Sequence, residues 1–350
     1  MIANTAVAWF KDISLADRIH VGGKGGSLGE LTRAGIAVPP GFVVTTHAFE
    51  QFLSALDRDV QVRRRVQSLD PQDLDVTTKL CSEMRAHVES MAVPAAVLNE
   101  ITSAYEALFA GRAASPVAVR SSATTEDAAD ASFAGLQDTY LWVTDVQQML
   151  ARVRSCWASL YSVESVTYRR QRGVPEDDVA MAVVVQQMVN ARSAGVMFTR
   201  SPLTGDRSVI ALEGSWGLGS AVVGGDVTPD RWVIGKITGE ISVRDISDKH
   251  EQHVPVAAGG VQSVPVDPEL RQTPCVSDAE LEALRITARK VERHYGAPQD
   301  IEWAVERDTN AIYLLQSRPE TVWSAKEAQS VARPAGDPMA HVMNIFGGKR

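Results

Sequence analysis

Residues 22–26 read GGKGG, with Lys24 at the centre and Ser27 just after. Glycines let backbone N–H groups approach an anion closely, and a lysine adds a point charge. A helix starting there would add the positive end of its dipole. The spacing is not that of a P-loop, which needs Gly, four residues and then Gly-Lys-Ser/Thr, and it is not GxGxxG. A plain glycine turn with a solvated lysine has the same pattern. Arg120 is the second candidate. It follows the apolar run VAV (117–119) and opens the loop RSSATTEDAADASFAG (120–135). An arginine at a strand end presents a planar fork suited to phosphate oxygens. The small hydroxyl residues would let the loop close over a ligand. Glu126, Asp127 and Asp130 oppose an anion site unless they face solvent or a metal, and a surface arginine beside a loop reads the same way.

The stretch QDIEWAVERDTNAIYLLQSRPE (299–320) is the third candidate. Its pattern predicts strands at 299–306 and 311–317 around Asp308, Thr309 and Asn310. Glu302 then falls opposite Gln316, and Asp300 opposite Arg318. Alternation assigns these four to one face and Ile301, Trp303, Val305, Tyr313 and Leu315 to the other, core-directed face. Magnesium takes a carboxylate, a second oxygen, waters and phosphate oxygens. Glu302 and Gln316 suit that role, with Arg318 on the same polyphosphate. A solvated amphipathic hairpin is the bland alternative. Finally, EGSWGLGSAVVGGDVTPD (213–230) carries glycines at 214, 217, 219, 224 and 225, as tight turns near a ligand or as loop packing.

The elements that must position these residues are legible in outline. IAVPPGFVV (36–44) predicts a turn into a buried strand, with Thr45 or Thr46 capping a helix through Phe49, Phe52, Leu53, Leu56 and Val60. Helices are predicted within 72–91 and 94–110. A strand near 138–143 precedes a helix containing Val146, Met149, Leu150, Val153, Trp157, Leu160 and Tyr161. Paired strands follow at 179–189 and 193–200, then strands at 207–213, 230–235 and 238–244. Residues 245–275 read as a linker. SDAE (277–280) has the capping-box form, opening a helix that closes at YGAP (295–298).

Composition narrows the class. The 350 residues are 45% hydrophobic and 22% charged, those of an ordinary globular chain. A net charge of −8 argues against a nucleic-acid backbone as partner. Cys81, Cys156 and Cys275 form no CxxC pair, predicting reduced thiols and no zinc site. No signal-peptide pattern opens the chain, and the most apolar stretch, Met181 to Val189, is too short to span a bilayer. A cytoplasmic protein without membrane association is the expectation.

In order and combination, these stretches resemble the N-terminal ATP-binding domain of the pyruvate phosphate dikinase and phosphoenolpyruvate synthase family, which includes rifampicin phosphotransferase. The matching segments are VGGKGGSLGEL…GIAVPPGFVVTT, VAVRSSATTEDAADASFAGLQDTYL, VVVQQMVNARSAGVMFTR, EGSWGLGSAVVGGDVTPD and DIEWAVE…YLLQSRPE, from about residue 20 to 320. The resemblance implies an α+β ATP-grasp fold, two lobes with the nucleotide between them. It divides the chain into an N-terminal lobe with the Gly-rich Lys loop (1–115), a Ser-rich lid and adenine-strand subdomain (116–200), a Gly-rich connecting segment packing on the N-terminal lobe (201–245), a C-terminal metal-binding subdomain (246–323) and a tail (324–350). Lys24, Arg120 and Arg318 match the catalytic cations. Gly23, Gly25, Ser122, Thr124, Thr125, Gly135 and Glu213 join Lys24 and Arg120 as ATP contacts, and Gln187, Met188 and Val189 match the segment beside the adenine. Glu302 and Gln316 match the metal pair, so ATP and Mg²⁺ are the implied ligands.

Two features depart from the family pattern. The family usually reads Gly-Leu-Gly-Glu where this chain has GLGS, with Ser220 replacing the acid. In these relatives ATP phosphorylates a histidine of a swivelling domain within a Thr-Ser-His type motif. None of the seven histidines here has that context. HEQH (250–253) reads as a solvated loop. The resemblance therefore implies one piece of a split machine, similar to phenylphosphate synthase, whose partner subunit carries the phosphorylatable histidine. The small acceptor would bind elsewhere. A self-sufficient ATP-grasp kinase or ligase, and a nucleotide-sensing module without chemistry, remain the alternatives.

Overall fold

The computed structural model describes residues 2–124, 127–128, 131–132 and 138–324. The first half runs through β1 (Val7–Trp9), α1 (Arg18–Arg33), β2 (Gly41–Val44), α2 (Thr46–Val60), α3 (Val62–Gln67), α4 (Leu74–Ser90) and α5 (Ala95–Leu108). It continues with β3 (Val117–Ala123), the two-residue strands β4 (Asp127–Ala128) and β5 (Ala131–Ser132), β6 (Thr139–Val143), α6 (Val146–Ser159), α7 (Val163–Arg172) and β7 (Met181–Gln187). The second half comprises β8 (Ala191–Phe198), β9 (Val209–Trp216), α8 (Ser220–Val223), β10 (Asp230–Gly235), β11 (Ile241–Asp245), β12 (Glu251–Pro255), β13 (Val261–Pro265), α9 (Asp278–Tyr295), β14 (Gln299–Glu306) and β15 (Ile312–Pro319).

Two antiparallel sheets organise these elements. The first has the order β1-β2-β7-β3-β6 and the second β11-β10-β9-β8-β14-β15. Alternation along the first sheet sends Phe42, Val44, Val117, Val119, Val183 and Val185 into a core with α2 and α4–α7. The intervening Val43 and Val184 pack on α1 through Val21 and Leu28. In the second sheet, Met197, Leu212, Trp232, Ile301 and Trp303 face α9, whose Leu281, Leu284, Ala288 and Val291 keep helical spacing. α1 touches both layers, because Leu31 belongs to the second core. A cleft opens between the two sheets, lined by residues of both.

Local signals are answered in detail. Thr45 caps α2 by accepting from the Ala48 N–H, Ser277 and Glu280 form the capping box of α9, and Gly296 ends α9 at φ 68°. The α+β class and the two-lobe arrangement are as expected. The segment boundaries do not follow the sheets, however. β8 leaves the first lobe and pairs with β9 and β14. Residues 201–245, expected to pack on the N-terminal lobe, instead supply β9, β10 and β11 to the second sheet, because Ile210, Leu212, Trp232 and Ile234 join its core. Residues 245–275 are not a bare linker, since β12 and β13 form a hairpin there.

The base of that hairpin is held by an ion pair out of contact with solvent. Lys249 Nζ meets Asp230 Oδ1 at 2.5 Å, both side chains fully buried. Asp230 also accepts from the backbone N–H groups of Ser247 and Cys275. These bonds offset the desolvation of both charges. Burial beside Asp230 pushes the Cys275 thiol well up, so it stays protonated.

Candidate functional site

The glycine-rich stretch is an interrupted helix rather than an open loop. Gly22 has φ 69° and ψ 179°, breaking α1 so that a new helical run begins beside Lys24. A Cβ at Gly22 would lie 2.1 Å from the Ser122 carbonyl oxygen, so glycine lets α1 and β3 meet. Ser122, expected as an ATP contact, is completely buried. Its hydroxyl donates to the Val21 carbonyl and accepts from the Gly25 N–H at 3.1 Å. Ser122 thus fixes the turn, and the Gly25 N–H is already used. Gly23 is buried with it, whereas Lys24 reaches the cleft wall.

Arg120 alternates with the core-facing Val119 and so points away from the helices, towards the second sheet. Its Nη2 donates to Glu302 Oε2 at 3.0 Å and to Gln316 Oε1 at 2.5 Å, while Nη1 donates to the Leu315 carbonyl at 3.1 Å. Residues almost 200 positions apart are joined by one guanidinium. The predicted hairpin register holds: Glu302 pairs with Gln316, and Asp300 with Arg318. A register shift follows Glu302, so Trp303 pairs with Leu314. The bulge corrects one expectation. Leu314 enters the core with Trp303, while Tyr313 and Leu315 join Val189, Ala194, Leu218 and Ala304 on the opposite face.

These groups surround a cleft of about 890 Å³ between the sheets, within the size range of small-molecule sites. Lys24, Arg120, Glu302, Gln316 and Arg318 lie at one end, and Gln187, Met188 and Val189 at the crossing from β7 to β8. Gln187 Oε1 is buried with no hydrogen-bond partner, an acceptor available to a ligand donor. Arg318 Nε is 3.3 Å from Asp300 Oδ2. Burial raises the Asp300 carboxyl above its usual range, and Arg318 partly opposes that shift. Burial likewise pushes the Cys156 thiol far up despite Lys24, which leaves it protonated.

Two expected contacts are placed differently. Glu213 shares the sheet face of Glu302, but Val196 stands between them, paired with both. The strand spacing puts the two carboxylates' strands about 10 Å apart. Thr124 is half-buried at the end of β3 and does not line the cleft. Thr125 and Gly135 lie outside the described residues.

Several cleft residues had no sequence signal. Thr139, Trp142, Gln148, Arg152 and Gln186 line it from the first lobe. The Arg152 guanidinium stands 4.7 Å from the centroid of the Tyr140 ring. From the second lobe come Ser220, Asp226 and His253. HEQH is therefore not a plain solvated loop. His250 is exposed, but His253 lies on β12 with Nδ1 2.8 Å from Ser220 Oγ. The glycine-rich stretch 213–230 and its GLGS departure at Ser220 marked part of this wall in advance, but not His253. No helix among the described residues is long and apolar enough to cross a membrane.

Two sheets facing each other over a cleft, with cations and a carboxylate–carboxamide pair at one end and an apolar bed at the other, have the chemistry of a site for an anionic ligand with an apolar part. The family model described as "Pyruvate phosphate dikinase, AMP/ATP-binding domain" matches residues 19–336, and the chain belongs to that family. Membership and the cleft-centred pair of sheets make the fold the expected ATP-grasp arrangement. The chain is 41% identical over 317 residues to a probable phosphoenolpyruvate synthase of Methanothermobacter thermautotrophicus, covering 90% of this chain and 46% of that protein. It is 38% identical over 353 residues to a probable phosphoenolpyruvate synthase of Staphylothermus marinus, covering 93% and 42%. It is 42% identical over 305 residues to a rifampicin phosphotransferase of Streptomyces sviceus, covering 86% and 34%. The chain thus spans less than half the length of these relatives.

Proposed function

We propose that this chain is the ATP-binding subunit of a dikinase-type phosphotransferase. The carrying observation is the reach of Arg120 across the cleft to Glu302 and Gln316. A lone surface arginine or a solvated hairpin has no reason to make that contact. ATP occupies the cleft with its base near Gln187, Met188 and Val189 and its phosphates at the cationic end.

Glu302 and Gln316 present one carboxylate and one carboxamide oxygen from adjacent strands, a set that fits Mg²⁺ completed by waters and phosphate oxygens. When bound, Mg²⁺ would supply charge neutralisation at the polyphosphate. Arg120 holds both oxygens here, so nucleotide binding turns its fork towards phosphate. Lys24 and Arg318 flank the same end. Positioning and charge neutralisation are the main protein tasks in phosphoryl transfer. A histidine of a partner subunit attacks the β-phosphorus of ATP and displaces AMP, and water then cleaves the terminal group from the pyrophosphorylated histidine, releasing phosphate and leaving one phosphoryl group on the ring. The partner then phosphorylates a small acceptor. A phenol or aromatic alcohol is our choice from the likeness to phenylphosphate synthase, with pyruvate as the other member of the class.

The test mixes the full chain, labelled ATP, Mg²⁺ and the product of a neighbouring reading frame that carries a Thr-Ser-His motif. Acid-labile label on that product with AMP formed is expected. Label confined to this chain, or ADP as the sole nucleotide product, overturns the proposal.

A further inference from the structure

Ser220, Asp226 and His253 form a polar set in the cleft wall that the phosphotransfer reading does not use. Ser220 opens α8, Asp226 follows that short helix, and His253 projects from β12. The backbone locks them together. The Leu218 N–H donates to the His253 carbonyl at 2.9 Å. Gly217 has φ 78°, and a Cβ there would lie 2.4 Å from the same oxygen. Ser220 Oγ and His253 Nδ1 stand 2.8 Å apart, and in the tautomer where the hydroxyl donates to Nδ1 the ring proton resides on Nε2. That nitrogen faces Asp226 Oδ2 at 3.7 Å, too long for a direct hydrogen bond. A hydroxyl between them can accept from Nε2–H and donate to the carboxylate. In that tautomer Ser220 Oγ keeps lone pairs for a second hydroxyl.

The position of this set along the cleft identifies what it meets. β14 is a ruler: Glu302 lies opposite Val196 at the cationic end, Ala304 opposite Ala194, and Glu306 opposite Ala191 near the crossing to the first lobe. α8 starts over the middle step, since a Cβ at Gly219 would stand 3.4 Å from the Ala194 Cβ. That step is roughly 7 Å from the Glu302 level, two residues along a strand. The apolar bed of Val189, Ala191, Ala194, Leu218 and Ala304 takes the base, and Arg120, Glu302 and Gln316 take the phosphates. The group between base and phosphates in a nucleotide is the pentose. We infer that Ser220, His253 and Asp226 read the vicinal hydroxyls of the ribose and make the cleft selective for ribonucleotides. This rests on the nucleotide reading of the cleft.

Calorimetric titration of the full chain in Mg²⁺ buffer with ATP, 2′-deoxyATP and 3′-deoxyATP tests it. The unaltered protein is expected to bind at least one deoxynucleotide about tenfold or more weakly than ATP, because a site built to pair a hydroxyl rejects the analogue lacking it. Asp226→Asn, at an exposed position, and His253→Gln are each expected to bring the deoxynucleotides within about twofold of ATP. They do so mainly by weakening ATP, with deoxynucleotide affinity little changed. Equal binding of all three by the unaltered chain, or undiminished discrimination in both variants, overturns the ribose assignment while leaving the nucleotide site standing. Absence of ATP binding in the unaltered chain overturns the nucleotide reading itself, and this assignment with it.

Discussion

The two ends of the cleft are built by opposite means. At the phosphate end, charged groups are already paired: Arg120 grips Glu302 and Gln316 across the lobes, and Arg318 stands by Asp300 within the second. At the hinge end, small and aliphatic side chains of β8, β14 and the β9–α8 connection form an apolar bed, roofed by the β12–β13 hairpin. The tip of that hairpin touches the first lobe where the Gly260 N–H donates to the Trp142 carbonyl at 3.1 Å. Charge sets the first end and shape the second. Cations gathered at one end can neutralise a polyphosphate there, whereas the apolar bed contributes by area removed from solvent.

The strongest way to break this picture is to loosen the hinge-end roof. Lys249→Met strands the buried Asp230 carboxylate with its two backbone donors and no cation. Removing one partner of a buried pair costs about 3–5 kcal/mol. Chemical denaturation should show a loss of that size, and adding Asp230→Asn should recover much of it. If the single variant is as stable as the parent, the hairpin is not anchored by this pair. Next comes Arg120→Ala, expected to cost about 2–4 kcal/mol in the transfer barrier, roughly 30- to 1,000-fold in rate. Arg120→Lys should rescue little, because an ammonium cannot reproduce the fork. Single-turnover label transfer measures both.

That contrast also governs what could be read from sequence. The phosphate end depends on unusual residue types at set spacings, so Lys24, Arg120, Glu302, Gln316 and Arg318 stood out and do line the cleft. Ser122 and Gly25 were misread because a hydroxyl beside glycines suits a phosphate or a turn equally, and only the packing of β3 on α1 decides. Tyr313 and Leu315 failed for a different reason. A one-residue bulge inverts the face of every residue beyond it, and nothing in IYLLQ announces the bulge. The hinge end is ordinary aliphatic sequence. His253 reaches it only through a hairpin that local polarity disguised as a linker.

A hinge-end substitution sharpens the distinction at smaller amplitude. Leu218 is buried in the apolar bed. Leu218→Ala should weaken ATP by about 1–2 kcal/mol through lost apolar contact. Affinity for inorganic tripolyphosphate, which has no base to bury, should stay unchanged. Arg120→Ala should weaken both ligands, increasingly so at low salt. Parallel titrations separate the ends, and equal losses for both ligands in Leu218→Ala would merge them into one site.

The smallest expected effect concerns Asp300, where the charged end approaches the apolar interior. Its carboxyl is raised above the usual 3.8 chiefly by burial, with Arg318 opposing. A raised carboxyl means that the ionised form is disfavoured in the folded chain. Its contribution to stability is fully present below the unfolded value and is lost as pH rises through the folded one. Asp300→Asn removes this titration while keeping the shape. At pH 7 the variant should match or exceed the parent, and near pH 3 the advantage should vanish. Thermal melts across that interval measure the difference. A variant less stable at pH 7 than at pH 3, relative to the parent, would mean that the Arg318 pair outweighs desolvation and that even this margin of the phosphate end is governed by charge.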